Sequence, residues 1–520
     1  VRRASVVLLA VLTLGIGLAT ASVPSAVNEN GCTIGVAAGT STADGRPLLW
    51  KTRDEHYEPD NGMHYETSSP LHYISVINAG EPWHAWMGVN EKGFAILNST
   101  SYDLPPGFLG LTNGALMELA LGTCATVAQF QALLDSTNVT SRRTQANFAV
   151  IDSTGAAALF ETGGRVYWKF DAHDTSVAPN GYIIRTNFAI NGGGFTSWRQ
   201  YNRSVNIVGD LWAGDTLSHR SILRHQMRDF SNFSCDPFPV PYAGQMFHGV
   251  PYGYIYTTAS ICKARSVSAT AIQGVLPGES AKLSTMWTML GQPAAAIAVP
   301  YWPVGDVPRE ADGGTTAPLC DASLGLKSFL FTREYVPEWH MALDFVDTYA
   351  LLDESGQQGV WAQTFAVEDS ILGAADSMLG VWRTMGLATG DMLEAEAAFA
   401  GYALQTLRAL CDSLFWRAPL VAGAPLPAAS ALRAGSYPDP FHEATTICYS
   451  VIRSGPATVS VFDVAGRRVR ELVNAPHETG CHEVVWDARD DCGASVTSGV
   501  YFYRIRTRDS QHTGRVVLTR

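Results

Sequence analysis

Short β-branched and aromatic runs closed by Gly, Asn and Asp recur from Cys32 to about Ser260, and residues 34–38, 47–51, 73–77, 94–98 and 148–151 read as strands. Between them, the apolar positions of 113–121 and 127–134 are spaced by three and four, the period of a helix with one buried face. The mixture predicts a strand-rich α+β layer domain. Residues 264–300 continue it, with a helix expected around 266–273 and an apolar strand over 295–299. Residues 366–384 and 392–416 are rich in Ala, Leu and Met at helical spacing on either side of Gly386 and Gly390, which predicts a helical hairpin. The composition then turns to Ala, Pro, Gly and Ser over 417–436, a linker. Six short strand-like runs follow between 445 and 518, parted by turns such as Ala465-Gly466 and Ser498-Gly499, and predict a small all-β sandwich.

Arg2 and Arg3 precede an apolar run over 6–18, and Ala19-Thr20-Ala21 offers a small-x-small cleavage site, so 1–21 is expected to be an export signal. The run is about 13 residues, short of the roughly 20 that span a bilayer. Export would allow disulfides among the nine cysteines, but an odd count leaves at least one out; Cys235 with Cys262 is the first candidate pair. Acidic residues outnumber basic ones 48 to 36, giving a net charge of −12 that repels phosphate backbones, so nucleic acid is not expected as a partner. No Cys-x-x-Cys and no tight His/Cys cluster occurs, and neither a metal nor a cofactor is expected.

The densest chemistry lies near residue 32. Cys32 heads the first strand, the chain turns at Asp44-Gly45, and the returning strand brings Lys51 and Asp54 back beside it. A thiol next to a cation loses proton affinity and gains nucleophilicity. Taken alone, the same residues read more simply as strand caps and surface charge. Trp83, Trp86, Trp287 and Trp302 are either the wall of an apolar pocket or plain core.

A series of segments, in order, resembles the linear-amide group of N-terminal-nucleophile hydrolases, which includes acyl-CoA:6-aminopenicillanic acid acyltransferase and the penicillin V and bile salt amidases. The series is Gly31-Cys32-Thr33, Asp44-Gly45 with Asp54, Asn90-Glu91-Lys92-Gly93-Phe94-Ala95 ending at Asn98, a central hairpin over 147–161, Arg185-Thr186-Asn187-Phe188, and a basic segment over 197–203. The resemblance covers roughly 32–310 and implies a four-layer αββα fold. It also implies cleavage of the Gly31–Cys32 bond, so that the freed α-amino group of Cys32 serves as base for its own thiol. Asp54 would orient that amino group, and Asn98 and Asn187 would donate to the oxyanion. Where amidase members carry Arg this chain has Lys51, which keeps the charge and loses the planar fork. Arg199 and Arg203 both fall in the later basic segment, with Arg203 slightly favoured for substrate or electrostatic support. The wording of the first hairpin also resembles the secreted dipeptidases of the same superfamily.

Asp439-Pro440-Phe441, residues 461–469, 485–490 and 498–504 resemble the Ig-like C-terminal domain shared by flagellar hook-capping proteins and type IX secretion sorting domains. That implies a bacterial protein handed to a secretion machinery and held outside the cell or at its surface. Asp487, Asp490 and Asp491 would form Asx turns or, alternatively, bind calcium. The expected organisation is a signal peptide (1–21), a short propeptide (22–31), the hydrolase domain (32–310), an extension with the helical hairpin (311–416), a linker (417–436) and the sandwich (437–520). The expected activity is hydrolysis or acyl transfer of a linear amide, from a small molecule or short peptide, through a thioester on Cys32. A surface adhesion protein with a degenerate hydrolase core is the alternative of another class.

Overall fold

The computed structural model describes residues 31–55, 59–194, 197–231, 254–336, 341–352, 359–386, 389–417, 434–437, 441–451, 455–477, 480–508 and 511–519. The expected export signal, nearly all of the expected propeptide, Cys235 and most of the expected linker lie outside them.

Along the chain the first domain runs β1 (Thr33–Ala37), β2 (Leu48–Asp54), β3 (Asn61–Glu66), β4 (Tyr73–Asn78), β5 (Met87–Asn90) and β6 (Ala95–Thr100), then helices α1 (Asn113–Thr123) and α2 (Val127–Thr140). β7 (Ala146–Ile151), β8 (Ala157–Thr162), β9 (Tyr167–Asp171), β10 (Tyr182–Arg185) and α3 (Trp198–Ala213) follow. A short α4 (His219–Ser221) passes into a π-helical turn (Ile222–Gln226), and β11 (Tyr254–Tyr256), β12 (Ser266–Gln273), β13 (Thr285–Leu290) and β14 (Val299–Tyr301) complete it. Two antiparallel sheets result, ordered β10-β1-β2-β12-β13-β14 and β3-β4-β5-β6-β7-β8-β9.

Strand alternation sorts the side chains into layers. Ile34, Val36, Leu49, Ile272 and Met286 of the first sheet share one core with Ile74, Val76, Val89, Leu97, Ala149 and Leu159 of the second. The outer face of the first sheet, with Trp50, Ala269, Ala271 and Trp287, packs on Val208 of α3 and on the π turn. The outer face of the second, with Phe94, Ile96, Phe148 and Phe160, is covered by Leu116 of α1 and by Phe130 and Leu134 of α2. The layers are therefore helix, sheet, sheet, helix. Gly35 makes the hairpin fit: a Cβ there would lie 2.0 Å from the ring of Trp50, its cross-strand partner.

Two expectations need correction. Residues 266–273 form a central strand, not a helix, paired with β2 on one side and β13 on the other. Their small side chains alternate, Ser268 and Ile272 to the inner face and Ala269 and Ala271 to the outer, and all eight are buried. Likewise, the strand expected over 295–299 is a 3-10 turn at Pro293–Ala295, with β14 beginning at Val299.

The extension holds α5 (Pro318–Leu330), β15 (Phe331–Val336), β16 (Met341–Asp347), α6 (Thr348–Leu352), α7 (Val360–Met385) and α8 (Thr389–Arg417). The hairpin is α7 and α8, and Gly386 ends α7 at φ +93°. Its apolar faces do not stand apart from the domain: Leu372, Leu379 and Trp382 join the outer layer of the first sheet, and Trp382 packs edge-on to Trp302 at 5.2 Å. Trp287 and Trp302 are thus core residues, not a pocket wall. A buried ion pair ties this layer together. Arg228 meets both carboxylate oxygens of Glu368 on α7 at 2.8 and 2.7 Å, and also donates to the carbonyls of Pro293 and Ala296.

In the C-terminal unit, β17 (Ala434–Tyr437), β18 (Thr445–Val451) and β21 (Gly480–Trp486) form one sheet, and β19 (Gly455–Phe462), β20 (Arg468–His477), β22 (Gly499–Arg506) and β23 (Gln511–Leu518) the other. Ile447, Val459, Val461, Trp486, Tyr503 and Ile505 fill the space between. Asp490 Oδ1 accepts from the amides of Cys492 and Ala494 at 2.9 and 2.8 Å, the Asx turn expected there. No helix among the described residues is long and apolar enough to cross a membrane.

Glu368→Ala strands the Arg228 charge inside the protein, and breaking such a pair costs about 3–5 kcal/mol. Urea unfolding should show a loss of that order, and a double replacement by Arg228→Met and Glu368→Leu should recover much of it.

Candidate active site

The β1–β2 register, Thr33 against Thr52, brings Cys32 to the far end of β2, where its thiol lies 3.9 Å from the carbonyl oxygen of Asp54. Leu49 of β2 faces the space between the sheets, so alternation sends Lys51 and Arg53 the same way. Lys51 is almost wholly enclosed there, its Nζ donating to Asn98 Oδ1 at 2.8 Å and to the carbonyl of Trp86 at 3.0 Å. Burial pulls its ammonium down to about 8, opposed by the nearby Cys32 thiol. For Cys32, burial pushes the thiol up and the Lys51 charge works against it. Arg53, also buried, donates to Asn61 Oδ1 and to Glu55 Oε1, with its guanidinium 4.2 Å above the Trp86 ring.

Asp54 ends β2 at a bulge where β12 starts. Its Oδ1 accepts from the Ser266 hydroxyl at 2.6 Å and its Oδ2 lies 3.2 Å from Lys263 Nζ. Burial raises the carboxyl, and Lys263 pulls against that rise. Lys263 is held by its own loop: its carbonyl accepts from Ser266 N, and the preceding Cys262 donates its amide to the carbonyl of Asp229. Asp229 in turn takes Nε and Nη2 of Arg203 at 3.0 and 2.8 Å. The Arg203 charge therefore acts on the loop behind Lys263, and it is Lys263 that meets the carboxylate beside Cys32. Arg199 lies over the Trp198 ring at 5.5 Å. Cys262 is a buried thiol accepting from Gln292 Nε2 at 3.2 Å, and the Cys235 expected to pair with it lies outside the described residues.

The two asparagines sit on facing pieces. Lys51 fixes the oxygen of Asn98, on β6, and leaves its Nδ2 side to donate. Asn187 follows β10 and donates to the carbonyl of Thr100 at 2.7 Å, with its Oδ1 turned toward Gly31. The turn that carries it is fixed from three sides. Asn147 Nδ2 donates to the carbonyls of Thr186 and Phe188 at 3.1 and 3.0 Å. Buried Glu161 pairs with Arg185 Nε at 2.7 Å and accepts the amides of Ile190 and Asn191. Asp103 accepts the amides of Ala189 and Gly194.

Gly31, Cys32, Lys51, Asp54, Asn98 and Asn187 are thus gathered at one end of the two sheets. Sequence reasoning missed Lys263, Ser266, Arg53, Glu161 and Asp103. Of these only Arg53 left a signal, its two-residue spacing from Lys51, which puts two cations on one strand face.

The family model of acyl-coenzyme A:6-aminopenicillanic acid acyl-transferase matches residues 40–204, and that of the FlgD Ig-like domain matches 452–511. Both resemblances drawn from the sequence are thereby borne out, as is the αββα domain followed by an Ig-like sandwich. No curated protein matches the chain. Penicillin V acylase from Agrobacterium tumefaciens is 13% identical over 52% of this chain and 85% of its own, with a TM-score of 0.32. A mutant of conjugated bile acid hydrolase from Clostridium perfringens is 10% identical over 50% and 89%, also at 0.32. Latent PorU from Porphyromonas gingivalis is 19% identical over 17% of this chain and 9% of its own, at 0.15. Likenesses at these scores carry no argument. The matched family supports an amide hydrolase or acyltransferase.

Lys51 binds a proton less tightly folded than unfolded, so between about pH 8 and the ordinary 10.5 the unfolded chain holds more protons and stability from this group rises with pH. Unfolding free energies should therefore rise across that window in wild type relative to Lys51→Met. Below pH 8, removing the charge should also push the Cys32 thiol higher and slow its alkylation by iodoacetamide, roughly tenfold per unit.

Proposed function

We propose that this domain is an exported N-terminal-nucleophile enzyme that acylates Cys32 with a linear amide and passes the acyl group to water or an amine. The observation that supports this best is the meeting of Cys32 with Lys51 and Asp54 on one hairpin, Asn98 and Asn187 completing the ring.

Maturation comes first. The Cys32 sulfur attacks the Gly31 carbonyl carbon, the peptide C–N bond breaks, and the thiol proton ends on the departing nitrogen, which becomes a free α-amine. Water then hydrolyses the thioester and releases the preceding segment with a Gly31 carboxylate. The new amine, with a pKa of about 7.7–8.0, takes the thiol proton in each later cycle. Asp54, steadied by Ser266 and Lys263, orients that amine. Asn98 and Asn187 donate to the tetrahedral oxyanion, each donor worth roughly 3–4 kcal/mol in comparable sites. Lys51 supplies positive charge next to the thiolate. Collapse of the intermediate protonates the leaving amine from the Cys32 ammonium. The Ig-like unit serves delivery by a secretion machinery and retention at the outer surface.

Mass spectrometry of the secreted protein should find Cys32 as the first residue, while Cys32→Ala keeps the residues ahead of it. A wild-type chain that retains them removes the base and sinks the mechanism. In processed protein, Asn187→Ala should lower kcat on an acyl p-nitroanilide by about 10²–10³ with less effect on KM.

A further inference from the structure

We infer that Ser197 and Asn187 set the shape of the acyl group, so that the site accepts an unbranched α-carbon carrying an apolar chain and refuses L-configured α-substituents. This rests on the reading of Cys32 as nucleophile, because Gly31 is then the first acyl group the thiol receives. Its Cα marks where a substrate's α-carbon must lie. A Cβ built on Gly31 in the L configuration would stand 2.2 Å from Ser197 Oγ, 2.9 Å from Ser197 Cβ and 2.6 Å from Asn187 Oδ1. All are well inside van der Waals contact.

Rotating the Ser197 hydroxyl, which has no hydrogen-bond partner among the described residues, still leaves its Cβ 2.9 Å away, and the backbone that carries it is held, as is Asn187. Asn187 is tethered to the Thr100 carbonyl at 2.7 Å. Ser197 is 5% exposed, sits at φ +61°, and its carbonyl accepts from Thr186 Oγ1 and from the amide of Tyr201. Beyond them the character changes. Phe188 and Trp198, the next residue after each, line an open cavity of about 620 Å³ together with Ala189, Ile190 and Tyr201. Ile190 and Trp198 are 59% and 49% exposed, an apolar surface that a buried acyl chain would cover. The buried Glu161 and the Asp103 carboxylate, which accepts two loop amides, hold this wall. A dipeptidase must take an L side chain at the α-carbon, so the same contacts count against that activity.

The test compares hexanoyl, (R)-2-methylhexanoyl, whose methyl takes the L position when its chain follows the Gly31 nitrogen, and L-norleucyl p-nitroanilides on the processed full-length protein. Wild type should favour the hexanoyl amide over both others by 100-fold or more in kcat/KM. Ser197→Gly, which suits the left-handed backbone and removes the blocking atoms, should narrow that ratio at least tenfold, and Trp198→Ala should raise KM for the hexanoyl amide. Equal turnover of the three amides overturns the inference. Mass spectrometry of Cys32 after exposure to p-nitrophenyl hexanoate separates the failures. A Cys32 acylated without α-discrimination overturns the shape rule alone, and a Cys32 that takes no acyl group overturns the nucleophile reading and this rule together.

Discussion

An amine enclosed between two sheets is the constraint on which this site depends. Lys51 sits where only apolar side chains pack without loss, and its charge is held there by one carbonyl and one amide oxygen. Those two partners belong to the chain around Trp86 and to β6, in the opposite sheet. The bond therefore fixes how the two sheets stand relative to each other at the end where Cys32 lies. It also chooses the rotamer of Asn98. Electrostatics and geometry here are one arrangement: the contact that makes burial of the cation tolerable also aims the Asn98 amide proposed as an oxyanion donor.

A second cation works by a longer route. Lys263 reaches Asp54 from a loop whose position comes from the Asp229 carbonyl, and Asp229 is held by Arg203 on α3. Charges far apart in sequence thus settle a carboxylate next to the thiol. The helical hairpin contributes similarly from outside. Through Glu368 and Arg228 it binds the turn at Pro293–Ala296 and closes the outer layer over Trp287 and Trp302, so the extension is a wall of the domain.

What the sequence disclosed was whatever leaves a local period or an ordered series. The first hairpin, α1, α2, the helical hairpin and six strands of the sandwich were all visible; β17, at the end of the expected linker, was not. Nor was the strand over 266–273, because Ser, Ala and Thr recur on both its faces and leave only Val267 and Ile272 to mark a period. Lys263, Glu161 and Asp103 were hidden for another reason. A carboxylate or amine enclosed by backbone amides is spelled the same way as one in water, and only long-range packing tells them apart. Trp287 and Trp302 show the converse, since an aromatic that could line a cavity was needed to fill the space under a helix.

The place of β12 in the first sheet has a consequence in time. Asp54 takes its hydroxyl partner from Ser266, 212 positions later, and β2 has β12 as its second neighbour. Contacts of such separation form slowly, because a long stretch of chain must be ordered before they return anything. A chain emerging residue by residue holds Cys32 and Asp54 from the outset but lacks the strand that steadies them until half of it has been made. The surroundings of Cys32 are therefore assembled late and, on the proposed mechanism, the cut ahead of Cys32 becomes a report on completed folding.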